Sequence, residues 1–480
     1  MDPTGRFINR ALRIAPLVPL AIVLTTPATP SAQPSGAASV TFTKDIAPIL
    51  QRSCQHCHRP DGVAPMSLVT YEEVRPWARA MKMRTGLGPH AGVMPPWFVE
   101  KDIGIQHFKD DPSLSDAEIA KIAKWSDSGA ARGNPAEAPP AKDFVNTDKW
   151  EIGEPDLVLR SPEVIVPAAG PDKWGSLGLV PTGLIEDRYV SAVEVREIND
   201  IPRGGATNTV GGRYGFHHMT YSSVVPGEAS AGGGEGGSSW PIHEVGRNPD
   251  IFPVAAGRLL AANSSLSLDA YHLHSNGRET KAHLEFAFKF FPKGYKPQYR
   301  RATLRLGNGI DIDVKPNQAS QELHAFATLQ EHTKIVAFEP HLHAPGVRMC
   351  LQAIWGHNIL TLNCVGYDHN WVKQYVYEDD AAPLLPKGTI VHLIGFLDTT
   401  PANKNPADAR NWAGGGRRSI ANMFIDLGYS VSLTEEQFQA EMAHRRQKMK
   451  SRNDYDIGCP LCWAPPPLVT ETTTAKPGNQ

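Results

Sequence analysis

From residue 148 to about 432 the chain repeats one pattern. Short runs alternate apolar and polar residues, as in Tyr189 to Val195, Ser265 to His274, His283 to Phe290 and Ile335 to His343. Clusters such as Gly307-Asn308-Gly309 and Lys387-Gly388 cut the runs apart. A period of two puts every second side chain on one face, so each run reads as a half-buried strand. The 42 glycines and 41 prolines supply the turns. Spacing of this kind favours sandwiches or jelly rolls, and the length fits two of them, over 148–300 and 301–432.

Residues 40–132 carry a different signal. Ile46, Ile49 and Leu50 recur at helical spacing, and Tyr71 to Lys82 is a second helical candidate. Ser115 with Glu118 three residues on forms a capping box, opening a helix through Ile119, Ile122 and Trp125 that stops near Gly129. Pro135, Pro139 and Pro140 mark a linker over 133–147. Glu435 to Met449 reads as a charged amphipathic helix, and 433–480 as that helix plus a tail. The fold class expected is multidomain α + all-β, a helical unit followed by two β-sandwich domains.

Residues 1–35 read as an export signal: Arg6, Arg10 and Arg13, then the short apolar run Ala15 to Leu24, then small residues to Ala32. No later stretch reaches the roughly 18 apolar residues of a membrane span, so stable membrane insertion is not expected. A formal net charge of -2 gives no basic footprint for nucleic acid. Localisation is expected to be periplasmic or secreted. An exported chain permits disulfides. Cys350 and Cys364 flank the turn Trp355-Gly356-His357-Asn358, placing a disulfide across a hairpin, and Cys459 and Cys462 form a second pair or local clip.

Cys54-Gln55-His56-Cys57-His58 is the attachment pattern of a c-type haem. Two thioethers at Cys54 and Cys57 would anchor the porphyrin, with His58 an axial iron ligand. The other axial ligand comes from Met66, Met81, Met83, His90 or Met94. Met94 precedes Pro95 and Pro96, which stiffen the backbone and suit a fixed thioether.

Three histidine clusters lie in the β region: Phe216-His217-His218-Met219, Tyr271-His272-Leu273-His274, and His341-Leu342-His343. Residues i and i+2 on a strand face the same way, so His341 and His343 can bind one metal. Adjacent histidines face opposite ways on a regular strand. His217 and His218 can therefore share a metal only at a strand end or through different ring nitrogens. Imidazole suits copper or zinc, and a thioether biases a site toward Cu(I). His243, His283 and His392 read as packing or surface residues.

The motif order over about 150–430 resembles the type II copper, ascorbate-dependent monooxygenases, the family of peptidylglycine α-hydroxylating and dopamine β-monooxygenases. That resemblance implies two tandem jelly-roll-like domains and two coppers. His217 and His218 match the family's histidine pair, and His272 its third ligand, with His274 on the same strand face as the alternative. His341, His343 and Met423 match the ligands of the second copper, where the family binds O2 beside the substrate C–H bond. Residues 40–132 resemble single-haem cytochrome c domains with a Met-Pro-Pro-Trp segment, which implies Met94 as the haem ligand. The pairing of such a unit with a monooxygenase-like region resembles a set of bacterial secreted proteins, of which Trp150 to Asp156 and Tyr367-Asp368-His369-Asn370-Trp371 look typical. Glu339 stands where peptide-amidating members carry an arginine, and Ile425 and Leu427 replace their asparagine and tyrosine. An apolar or neutral small molecule is therefore the expected substrate rather than a peptide carboxylate.

The expected function is hydroxylation of a small organic substrate with O2, using one haem c and two coppers. A periplasmic donor or ascorbate-like reductant would supply electrons. The alternative is a periplasmic electron-transfer or copper-binding protein. A zinc hydrolase is a third reading, with Glu339 as base because it shares a strand face with His341.

Overall fold

The computed structural model describes residues 39–60, 62, 64–142, 144, 149–201, 214–225, 238–244, 249–302, 304, 306–307, 312–406, 408–416, 421–449, 459 and 462. The expected export segment and the tail from Pro465 lie outside these residues, as do linker residues 143 and 145–147.

The apolar spacing before the cysteines folds as predicted. Phe42–Ile46 makes a π-helical turn that runs into α1, Ala47–Ser53. Tyr71–Val74 is capped by Thr70 and Glu73, and α2 follows at Ala78–Thr85. After strand β1, Val99–Gly104, comes α3, Asp116–Asp127. Ser115 and Glu118 form its capping box, the two satisfying each other's backbone N–H groups. Ile46, Leu50, Val74, Ile122 and Trp125 are wholly buried in the small core that joins these helices. Each such side chain contributes about 1.5–3 kcal/mol by leaving water. Trp125 also donates its Nε1–H to Ala131 O at 2.9 Å, so its one polar atom stays satisfied.

The first β section uses β2 (Lys173–Gly175), β3 (Arg188–Asn199), β4 (Phe216–Val224), β5 (His243–Glu244), β6 (Ser265–Leu273) and β7 (Thr280–Phe290). β3 and β7 pair antiparallel in one sheet. β2, β6, β4 and β5 lie side by side in another. Val190, Leu284, Phe286 and Phe288 from the first meet Phe216, Met219, Leu266 and Leu268 from the second.

The second section uses β8 (Gln321–Thr328), β9 (His332–Phe338), β10 (Pro340–Leu342), β11 (Gly346–Trp355), β12 (Asn358–Gly366), β13 (Ile390–Leu397), β14 (Phe424–Asp426) and β15 (Tyr429–Leu433). The sheet order is β1-β12-β11-β13-β8, with β9 against β15 and β10 against β14. Phe338, Leu342, Met349, Leu351, Leu393 and Phe424 fill its core. The described chain is thus mostly β-sandwich sheets with few helices.

Two elements depart from the expected pattern. β1 belongs to 40–132 by sequence but pairs with β12, Val99 opposite Val365. Its flanking aromatics explain this: Trp97 packs edge-on against Tyr375 at 4.9 Å, and Phe108 stacks on Tyr377 at 5.0 Å. The run Ile335 to His343 splits at Glu339 into β9 and β10, which pair with different partners. Pro340 has no N–H for a continuous ladder, and Glu339 N donates to Asp426 Oδ1 at 2.9 Å instead.

Cys350 and Cys364 stand opposite each other on β11 and β12 and are disulfide-bonded, as are Cys459 and Cys462. The second bond packs under α4, Glu435–Lys448, beside Phe438 and Met442. No described helix is long and apolar enough to cross a membrane. Both disulfides and that observation are compatible with an exported protein.

Candidate metal centre

The histidine pair resolves its own geometric objection. Across β4 and β6, His218 faces His272, while the next recorded pair is Phe216 with Leu273. His217 is therefore the extra residue of a β-bulge. A bulge re-aims the side chain it carries, and His217 Nδ1 comes within 3.4 Å of His218 Nδ1. One ring nitrogen from each of His217, His218 and His272 lies within 4.8 Å of the other two.

His272 is held on two sides. Trp174, its partner on β2, stacks on the ring at 4.5 Å. Asp172 Oδ2 lies 3.0 Å from His272 Nε2 and 3.3 Å from His274 Nε2. His274 Nε2 is in turn 3.0 Å from His272 Nε2, so both candidates for the third ligand converge here.

His341 and His343 come from β10 and the residue just after it, with ring centroids 5.4 Å apart. His343 Nδ1 pairs with Ala421 O at 2.9 Å, which fixes its ring. In the antiparallel register His341 stands opposite Ile425 and Leu342 opposite Phe424. Met423 is half-buried at the end of β14, the next step on that side.

The two groups are not separate. His217, His218, His341 and His343 line one small cavity, together with Glu244, Tyr367 and a residue given no metal role from sequence, His369. The space between the rings admits about one water molecule. Glu244, paired with His218 across β5 and β4, puts Oε1 at 3.8 Å from His341 Nδ1. Glu339 is not in this lining: its Oε2 accepts from Gln374 Nε2 at 2.7 Å. The i, i+2 rule fails for it because β9 ends before it and β10 begins after it.

Burial, then the mutual repulsion of neighbouring imidazolium charges, lowers these histidines. His217 and His218 fall to about 2 and His341 to about 3. His369 falls to about 4 by the same causes, and His272 to about 4 despite the opposing pull of Asp172. All are neutral imidazoles at pH 7, the form that ligates metals. Neither His243, His283 nor His392 lines the cavity: His283 meets Arg160, and His392 stacks on Phe326 at 4.1 Å.

The haem motif lies where α1 ends. His58 N donates to Cys54 O at 2.9 Å, curling the five residues into a turn. Both thiols are free. Burial pushes Cys54 up to about 12 and raises Cys57. His58 is buried, with Nδ1 3.1 Å from Met66 O, which leaves Nε2 for an iron ligand bond. Met66 and Met81 pack into the helical core, whereas Met83 is exposed. His90 is exposed, and Met94 is 39% exposed. The Met94 loop is tied down at both ends. Met94 N donates to Arg84 O at 3.2 Å, and Gly92 N donates to Asp368 Oδ2 at 3.2 Å. That second bond joins the loop to the neighbour of His369.

No family model matches this chain, and no curated protein matches it. Among solved structures, a crystal structure of vicilin from Solanum lycopersicum (tomato) is 8% identical, with 55% of this chain and 75% of that chain covered at a TM-score of 0.12. A likeness that weak carries no argument about fold or function.

Proposed function

We propose that this chain is an exported haem- and copper-containing monooxygenase that hydroxylates a C–H bond of a small organic substrate. The balanced reaction is R–H + O2 + 2 e⁻ + 2 H⁺ → R–OH + H2O. One observation carries the reading: neutral histidines from both β sections converge on one cavity. The resemblance of their order to the type II copper monooxygenases adds to it.

The donor set fits copper. His341 Nδ1 is buried with no hydrogen-bond partner, a cost of about 1–3 kcal/mol that an ion would remove. His217, His218 and His272 would hold one ion, with His274 beside them. His341, His343 and Met423 would hold the other. Copper held there would supply one-electron redox chemistry and O2 activation, and a haem on Cys54 and Cys57 a further one-electron store. The chain's own residues do the positioning. Asp172 and the Trp174 face fix His272, and the Ala421 carbonyl fixes His343. Tyr367 and Val372 form part of the cavity wall. The cytochrome-like unit over 40–132, with His58 and Met94 as axial ligands, the two jelly-roll-like domains and the periplasmic or secreted location belong to the same proposal. Its partners are O2, the substrate and a periplasmic or ascorbate-like electron donor. Glu339 bonds Gln374, and among the described residues the cavity lining holds no arginine for a substrate carboxylate, which fits an apolar or neutral substrate.

The tightness of the cavity favours a second reading. Space for about one water holds ions but no organic molecule, as in a copper-binding or electron-transfer protein. O2 uptake by the copper-loaded protein with a reductant and a panel of neutral organic molecules separates the two. Uptake that depends on an organic substrate, with 18O entering the product, supports the oxygenase. Uptake indifferent to every substrate supports the carrier.

A further inference from the structure

We propose that His369 is a metal ligand, completing a three-histidine site with His341 and His343. The proposal deepens the reading of a second ion in the cavity and rests on it.

His369 sits on a turn held in place from several directions. Gly366 N donates to Phe98 O at 2.8 Å, and Tyr367 N to Val347 O at 2.9 Å. The Tyr367 hydroxyl donates to Leu342 O, between His341 and His343. Asn370 N donates to Asp368 Oδ1 at 3.0 Å, and Trp371 N to Asp368 O at 3.0 Å. The turn is therefore fixed to the same backbone that carries the other two ligands.

Two of the three ring separations fall in the range of shared coordination, although the ring nitrogens of His341, His343 and His369 do not all lie within 4.8 Å of one another. Imidazoles on one ion, with metal–nitrogen bonds of about 2.0–2.1 Å, keep their centroids roughly 4.5–6.5 Å apart. The His341–His343 and His343–His369 separations are 5.4 and 6.2 Å. His217 is 6.0 Å from His369 on the other side, so the ring stands between the two groups.

The competing explanation is a histidine that merely packs. A packing imidazole satisfies both ring nitrogens or exposes one to water. His369 Nδ1 does neither: it is buried, without a hydrogen-bond partner, in a residue lining a cavity with four other imidazoles. His341 Nδ1 is in the same state. Two unpaired ring nitrogens facing a cluster of other imidazoles point to an ion. A third imidazole also changes what the site prefers. A pair of histidines with a thioether leans to Cu(I), whereas added nitrogen donors accommodate Cu(II).

The test is a Cu(II) titration of the full-length, haem-bearing protein against a chromophoric chelator, with pulsed EPR to count imidazoles at each ion. His369→Gln should weaken the second ion by at least tenfold, the scale at which even outer-shell changes act, and remove one imidazole from its count. His324→Gln, a histidine outside the cavity, should change neither. Unchanged affinity and imidazole count in His369→Gln would overturn the proposal while leaving two-ion binding intact. Should that variant not fold, the wild-type spectrum decides: three imidazoles at the second ion support the proposal, two overturn it. A wild-type protein that takes up only one Cu(II) overturns both this proposal and the two-ion reading beneath it.

Discussion

Stripped of metal, the histidine cavity should make the protein acid-sensitive by a predictable amount. His217, His218 and His341 have folded-state values of about 2, 2 and 3, against about 6.5 in an unfolded chain. A histidine lowered on folding binds its proton in the unfolded chain first. Its stabilisation is present above pH 6.5 and is lost as pH falls below it. Between pH 7.5 and 5.5 each of the three costs about 1.4 kcal/mol, about 4 kcal/mol together. Asp426 runs the other way. Burial raises its carboxyl to about 7, so it takes up a proton in the folded state over the same interval and returns about 2 kcal/mol. His272 and His369, lowered to about 4, lose about 1.4 kcal/mol each as well, so the net loss expected is about 5 kcal/mol. Urea denaturation of chelator-treated protein at the two pH values, followed by far-UV circular dichroism, reads the net change. His218→Gln isolates one term, because Asp426 is common to both proteins. Its stability should depend less on pH than the wild type, by about 1.4 kcal/mol over the interval. Equal pH dependence in the two would refute the assignment of His218 as a histidine buried neutral.

Other perturbations have defined outcomes. Replacing Cys350 and Cys364 with serine should cost about 3 kcal/mol in denaturation experiments, from the loop of 14 residues that the bond closes. Ser115→Ala removes the cap of α3 and should cost about 1 kcal/mol by the same assay. Gly366→Ala would place a Cβ 1.7 Å from Pro89 O. It should cost about 1–3 kcal/mol and raise amide exchange at Gly92, whose N–H bonds Asp368. Cys57→Ala should halve the covalent links, and mass spectrometry of the unfolded chain should still find haem at Cys54 alone.

The strands were legible where one face is buried and the other wet. Arg188–Asn199, Ser265–Leu273 and Thr280–Phe290 all contain runs read from alternation. Alternation could not show the break at Glu339, because Pro340 interrupts a ladder without interrupting the apolar pattern. The bulge at His217 was equally hidden. It exists only relative to β6, about fifty residues away, so the sequence left the pair with a geometric objection that the fold removes. Val99–Gly104 was assigned to the helical unit for the same reason: its partner, Asn358–Gly366, is remote in sequence. His369 lies in a stretch singled out from sequence, Tyr367 to Trp371, but one histidine in a turn carries no spacing that signals a ligand. Its role comes from the hydroxyl of Tyr367 reaching Leu342, a tertiary contact.

Metal content decides the central claim most directly. The protein should be matured with haem, exported into a copper-supplied periplasm, and analysed for iron, copper and zinc per chain. One iron and two coppers, with copper reduced in Met423→Ala, is the predicted result. One iron with zinc, or with no bound copper, would leave the haem reading in place and contradict the paired-copper oxygenase.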